Sequence, residues 1–385
     1  MAAAHRALIG HMRGVALVAP WLLYLFLADV VLSLMLPFKR LAPRIVYDLS
    51  SIIAGSVWRW IQSIFVRLNG AEIICSGDEL PTGESAIVVS NHVAWSDFFM
   101  IQALAKRAGM LGRCRYYAKV QLRLVPFLGW GLWAMGMPMV SRNWLKDKSE
   151  LNRVFTNIVT GGFPTWLISF SEATRFNKKK YQESQLWCEA RDRPHPLHLL
   201  YPRTKGFIAT VQHLRKAPHI KAIYDLAILY RRGSNFQEAP SIWDALSIPK
   251  MTKEAGFQFY VHTRRFPIAS LPEKDEELAK WLEQIWATAG PVCVCPPRRL
   301  SLKDNSAVFS RQQSLDDKRI EPFLSQQTRL PLSSPPPRPL PYARIRPLRR
   351  QSSHFTILNT CPRLQETLRA YAGDNSVMYS SLAGL

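Results

Sequence analysis

Cysteine is scarce in this sequence and poorly placed for structural chemistry. Six cysteines are scattered over 385 residues, without the paired spacing of a zinc site or the density of a disulfide-stapled secreted domain. The one close pair, Cys293 and Cys295, has no histidine or further cysteine at ligand spacing and reads as incidental; the thiols point to a reducing compartment. Acidic residues are also few, 28 Asp plus Glu against 50 Lys plus Arg, for a net charge of +22. That deficit selects an anionic partner, whether nucleic acid, membrane surface or phosphorylated small molecule, without choosing among them. Nineteen glycines and 27 prolines lack the period of a collagen-like chain, and no internal repeat is present. What remains is 48% hydrophobic and 20% charged, so the chain is not wholly disordered, and it is long enough for two average domains or one large α/β domain.

Val15 to Phe38 is almost unbroken apolar sequence, interrupted by Pro20, Asp29, Ser33 and Pro37, and its 24 residues suffice to cross about 30 Å of hydrocarbon. It lacks the short apolar core and small-residue cleavage site of a signal peptide. Asp29 costs roughly 2.5 to 3.5 kcal/mol on insertion scales, so a hairpin or re-entrant helix stays open beside a single span, as does a helix buried in a soluble core. Ile45 to Leu68 carries Val46, Leu49, Ile52, Ile53, Val57, Ile61, Ile64, Phe65 and Leu68 at helical spacing. This amphipathic helix either lies in the membrane interface or covers the core of the domain that follows.

From Ala71 the pattern changes to short β-rich runs alternating with helical stretches. Ala86–Ser90, Tyr116–Val120, Thr165–Phe170, Ala222–Leu229 and Phe257–Val261 read as strands, and Phe98–Ala108, Leu145–Val159 and Glu276–Thr288 as helices. The alternation predicts an α/β fold whose mixed, largely buried sheet is flanked by helices. The last 95 residues hold 12 of the 27 prolines and 14 basic against 6 acidic residues, the composition of a disordered basic tail. The expected organisation is therefore a membrane anchor and amphipathic helix over 1–70, an α/β domain over 71–290 and a tail over 291–385.

Chemistry concentrates where a strand-like run delivers a histidine at its carboxyl end, in Asn91-His92-Val93-Ala94-Trp95-Ser96-Asp97. Ligand sites of α/β sheets lie at such ends. A histidine takes a proton from a hydroxyl, and a carboxylate on its other ring nitrogen fixes the tautomer and stabilises the imidazolium. On this spacing alone, a histidine that merely caps or packs at a turn is the competing reading. Three further blocks follow: Met139-Val140-Ser141-Arg142-Asn143-Trp144; Phe170-Ser171-Glu172-Ala173-Thr174-Arg175-Phe176; and Tyr201-Pro202-Arg203-Thr204-Lys205-Gly206-Phe207 with Ala222-Ile223-Tyr224-Asp225. On its own, the Glu172/Arg175 pair reads as an i, i+3 surface ion pair.

Together the four ordered blocks resemble the glycerophospholipid acyltransferase family, with its Asn-His-x-x-x-x-Asp pattern. They are most similar to its lysocardiolipin and lysophosphatidate acyltransferase branch. The resemblance runs from about Trp21 to Ala289 and includes Arg264-Arg265-Phe266-Pro267-Ile268. It implies a membrane-bound enzyme of phospholipid synthesis or remodelling that moves a fatty acyl group from acyl-CoA to a lysophospholipid hydroxyl without a covalent intermediate. His92 is then the general base and Asp97 its orienting partner. Asn91, Glu172, Thr174 and Arg175 are expected at the acceptor, with Arg142 a second phosphate ligand and Lys119 and Lys205 attracting anionic headgroups or CoA phosphates. No metal or cofactor is implied beyond acyl-CoA as co-substrate; the implied partners are lipids, not nucleic acid.

One departure stands out. The family usually has glycine where this chain has Ala173, and a positive φ there would strain an alanine. A catalytically silent lipid-binding or scaffolding protein of the same fold is the alternative, opposed by the intact His92 and Asp97. Cytosolic acyl-CoA, and Lys39, Arg40 and Arg44 outnumbering Arg6 and Arg13 about the apolar run, lead to the endoplasmic reticulum with the catalytic domain in the cytosol, a mitochondrial membrane being the alternative.

Overall fold

The computed structural model describes residues 2–294 except 126 and 142; most of the expected tail, and Arg142, lie outside the described residues. Two helices come first, α1 (Ala2–Leu34) and α2 (Pro43–Ser63), the second running on into a π-helical turn over Ile64–Leu68. There follow β1 (Ile73–Gly77), β2 (Ser85–Ser90), α3 (Asp97–Arg107), β3 (Cys114–Tyr116), β4 (Ala118–Lys119), α4 (Leu128–Ala134), β5 (Met139–Val140), α5 (Trp144–Gly161), β6 (Trp166–Phe170) and α6 (Lys178–Glu189). The remaining elements are α7 (Thr204–Leu214), β7 (Ile220–Arg232), β8 (Asn235–Phe236), α8 (Ile242–Ser247), β9 (Phe257–Pro267) and α9 (Asp275–Val294). The expected Tyr116–Val120 strand is two pieces in different sheets: β3 ends at Tyr116, and β4 pairs with β5. Helix α9 runs four residues past the boundary placed at residue 290.

The main sheet has the order β1-β9-β7-β2-β6-β3, with β8 appended to β7. It is mixed, as the sequence alternation predicts: β7 and β9 are antiparallel, whereas β7, β2, β6 and β3 run parallel. All six residues of β2 are buried, because helices cover both faces and a doubly covered strand reads as a continuous apolar run. Ala86 and Val88 pack with Trp166, Ile168 and Tyr224 on the α3 side. Ile87 and Val89 meet Leu167, Phe155, Leu214 and Leu282 on the side of α5, α7 and α9.

The antiparallel register puts Tyr224 opposite Arg265 and Asp225 opposite Arg264, which explains two of the blocks read from the sequence. Arg264 bonds the buried Asp225 carboxylate at 2.6 and 2.8 Å and the Ile285 carbonyl of α9 at 2.6 Å. Arg265 holds Glu84, which also accepts from the Tyr224 hydroxyl. These residues join β9 to β7, to α9 and to Glu84 just before β2.

Helix α2 covers the core of the domain that follows with one face and leaves the other apolar face exposed. Val46, Ala54, Val57 and Ile61 are buried, while Ile45, Leu49, Ile52 and Trp60 are exposed. The helix comes so close to the turn after α3 that a Cβ on Gly112 would lie 2.1 Å from the Ser51 carbonyl oxygen. Helix α1 is tied to the domain along its length: Arg13 donates to the Ser247 and Leu68 carbonyls, Trp21 to Val57, and Tyr24 shares a hydrogen bond with Ser56. Asp29 is buried against Gly131 of α4. Val18, Ala28 and Leu32 are buried too, but Leu22, Leu23, Phe26, Leu27 and Leu34 are exposed, so α1 is not enclosed as the buried helix of a soluble core would be.

Candidate active site

Strands β2, β6 and β3 run parallel and end at Ser90, Phe170 and Tyr116, so their carboxyl ends share one edge of the sheet. The residues that leave that edge are stitched by backbone hydrogen bonds. Ser171 N–H donates to the Ser90 carbonyl, Phe176 N–H to that of His92 and Arg203 N–H to that of Ser171, the last two at 2.7 Å. Three of the four blocks therefore meet here. The Met139–Trp144 block stands beside them through β4, where Lys119 pairs with Val140 in register.

His92 Nδ1 lies 2.7 Å from Asp97 Oδ2. Asp97 is the first residue of α3 and fully buried; its Oδ2 also accepts from the backbone N–H groups of Val93 at 2.7 Å and Ala94 at 3.1 Å. The carboxylate thus folds the loop that carries the histidine. It also sits at a helix N-terminus, where the macrodipole favours negative charge. A carboxylate only accepts, so Nδ1 carries the proton and Nε2 is left as the basic atom. Nε2 has no hydrogen-bond partner among the described residues, and the ring is stacked on Phe170 at 4.0 Å between centroids. The histidine is thereby held in one plane with one nitrogen available.

The sequence did not single out Tyr230. From β7 its hydroxyl donates to Asp97 Oδ1 at 2.6 Å.

Glu172 faces inward. Its Oε2 accepts from the His92 N–H at 3.2 Å and its Oε1 from the Leu200 N–H at 3.1 Å, which ties the histidine loop to the segment leading into α7. No ion pair joins it to Arg175 among the described residues, unlike the surface pair suggested by the i, i+3 spacing. Burial pushes its pKa up to about 8, against the pull of the two N–H donors. Native Glu172 therefore holds its proton more tightly than the unfolded chain does, and its contribution to stability is lost as pH rises from about 4.5 towards 8. Glu172→Gln, which cannot ionise, is expected to gain Tm relative to the parent as pH is raised from 5 to 9, by thermal melts across that range. A constant difference would exclude Glu172 as the titrating group.

Asn91, expected at the acceptor, is buried and serves the backbone instead. Its carboxamide donates to the Ile228 carbonyl at 2.9 Å and accepts from the Ile228 N–H at 2.7 Å. It extends the β2–β7 pairing by one residue after the strand ends. The side chains of Arg175, Lys119 and Lys205 are exposed and make no hydrogen bond or ion pair to another described residue, so their charge is free for a ligand. Thr174 accepts a hydrogen bond from Lys180, a cation absent from the blocks read in the sequence.

Ala173 has φ +56°. An L-residue in this region pays roughly 1 to 2 kcal/mol, so the departure from glycine is strained as the sequence reading anticipated. Ala173→Gly is expected to raise stability by up to about 1 kcal/mol and to preserve or raise activity. Urea unfolding and an activity assay check both, and destabilisation would show that the loop has adapted to alanine.

Residues 72–230 match the family described as Acyltransferase, and residues 253–289 the one described as Acyltransferase C-terminus. The chain is 30% identical over 210 residues to 1-acyl-sn-glycerol-3-phosphate acyltransferase 3 of Arabidopsis thaliana, covering 54% of this chain and 53% of that one. It is 32% identical over 203 residues to 1-acyl-sn-glycerol-3-phosphate acyltransferase delta of Bos taurus, covering 53% and 50%. These matches span about half the length of the curated relatives. The solved 1-acyl-sn-glycerophosphate acyltransferase of Thermotoga maritima overlaps with a TM-score of 0.41 at 15% identity, over 71% of this chain and 98% of that one.

Proposed function

This chain belongs to the glycerophospholipid acyltransferase family, and we propose that it transfers a fatty acyl group from acyl-CoA to the free hydroxyl of a lysophospholipid of the lysophosphatidate type. The observation that carries the reading is the His92–Asp97 pair, 2.7 Å apart and with Nε2 available. His92 Nε2 takes the hydroxyl proton as the oxygen attacks the thioester carbonyl, so no free alkoxide forms, and Asp97 stabilises the imidazolium. Collapse of the tetrahedral intermediate breaks the carbon–sulfur bond, and the departing CoA sulfur recovers the proton. Arg175 grips the acceptor phosphate with two parallel N–H donors. Thr174, Lys119, Lys205 and Arg142 add polar or positive groups for the headgroup and the CoA phosphates. Glu172 keeps His92 in place.

The membrane is the second half of the reading. Leu8–Leu34 is long and apolar enough to cross a bilayer. The outward residues of α1, with Ile52 of α2 and Trp130 of α4, offer an apolar surface far larger than isolated exposed side chains would make. We infer that this surface is buried in lipid and brings the site to its acceptor. We place the protein at the endoplasmic reticulum with the site facing cytosolic acyl-CoA. The test supplies the purified full chain in lipid vesicles with several lysophospholipids and acyl-CoAs, with products identified by mass spectrometry. A diacyl phosphate product is expected, and acylation of every acceptor alike would remove the phosphate clamp. The alternative, a silent lipid-binding protein of this fold, predicts binding of the lysophospholipid with no product.

A further inference from the structure

Asp97 meets four donors, and three of them crowd one oxygen. Oδ2 receives His92 Nδ1, Val93 N–H and Ala94 N–H; Oδ1 receives only the hydroxyl of Tyr230. Tyr230 is fully buried on β7, paired in register with Phe259 and edge-on to its ring at 5.9 Å. β7 is itself pinned to the end of β2 two residues earlier, by the paired Asn91–Ile228 bonds. A phenylalanine would satisfy the apolar packing at this position, since the Tyr230 ring meets Phe259 and belongs to the same core as Phe65 and Val261. The hydroxyl is the part that packing does not call for, and a buried hydroxyl is costly unless it is paired. Here its partner is the carboxylate that orients the candidate base.

We propose that Tyr230 is a positioning residue for acyl transfer, its hydroxyl holding Asp97 in the rotamer that presents Oδ2 to His92 Nδ1 and taking up part of the carboxylate's charge. The proposal rests on the reading of His92 as general base. Burial, then the charge of Asp97, pushes the Tyr230 pKa well above the usual range, so the phenol stays a donor throughout an ordinary assay. Without that donor, more of the Asp97 charge is left to attract a proton on the imidazole, and the base is blocked at a higher pH. Among the described residues, the other titratable group bonded at the pair is Glu172 after β6, which accepts from the His92 N–H, while Tyr116 of β3 lies one ring away, against the Phe98 that meets the histidine. Both are unchanged in the test.

The test is Tyr230→Phe in the full chain, assayed in lipid vesicles with acyl-CoA and a lysophosphatidate. The expected result is kcat lowered about ten-fold, the scale of one lost hydrogen bond to a charged group. KM for both substrates is expected to stay within about two-fold, and the acid limb of the pH–rate profile to move up by about half a pH unit. Site-specific 3-fluorotyrosine at position 230 keeps the fold and strengthens the donor, and is expected to move the limb downward. An unmoved limb in both proteins, or a fall in kcat that only follows the fraction folded, would overturn the proposal. His92→Ala is run in parallel. If it turns over like the parent, the reading of the base has failed; if it is inactive while Tyr230→Phe behaves as the parent, only the role of Tyr230 has.

Discussion

His92→Ala is expected to lower the acyl-transfer rate at least about a hundred-fold, the usual contribution of a positioned general base. Asp97→Asn should come close to it. An amide presents one accepting oxygen where the carboxylate serves four donors, so either the loop N–H groups or the histidine loses its partner. The double variant is expected to be no slower than the worse single one, because the two side chains act as one proton-transfer unit. Circular dichroism separates this from misfolding, most directly for His92→Ala, whose ring is at the edge of the core. Steady-state rates with labelled acyl-CoA make the comparison, and multiplicative losses would mean that the two residues act independently.

Arg175→Lys carries the second large effect. Arg175 is exposed and spends no hydrogen bond on another described residue, so a substitution there leaves the packed structure alone and acts on the ligand. Lysine keeps the charge but cannot present two parallel donors to one phosphate. Charge-assisted bidentate bonds are about twice as strong as neutral ones, and a loss of ten-fold or more in kcat/KM for the lysophosphatidate is expected, with little change in KM for acyl-CoA. Varying each substrate at saturation of the other measures this. Equal losses for both would place Arg175 at the donor or at neither.

The sequence made the sheet's centre legible because β2, β6 and β7 are apolar runs bounded by turn residues, and doubly covered strands have little choice in composition. It made the histidine–aspartate pair legible as a spacing. It could not reveal Tyr230, since a tyrosine inside a buried strand looks like any aromatic core residue until the neighbouring loop is in place. Asn91 and Glu172 were legible as parts of a pattern but not in their geometry. Both point into the protein and bond backbone groups of segments distant in the chain, Ile228 and Leu200. Helix α6, Lys-Lys-Lys-Tyr-Gln-Glu-Ser-Gln-Leu-Trp-Cys-Glu, escaped because only Cys188 in it is buried, so it carries almost no apolar period. The apolar run of α1 was plain, but hydrophobicity alone does not separate a face that meets lipid from one that meets protein, and α1 has both.

The most direct test of the central claim, direct acyl transfer by a histidine base, counts product and thiol in one reaction. Purified full chain in vesicles is given acyl-CoA with and without lysophosphatidate, and free CoA, diacyl product and the intact mass of the protein are followed together. The predicted result is one CoA released for each new ester, almost no release without the acceptor, and no acyl mass on the protein at any time. CoA release that does not depend on the acceptor, an acylated protein that then discharges to the lipid, or no product with any lysophospholipid would contradict it.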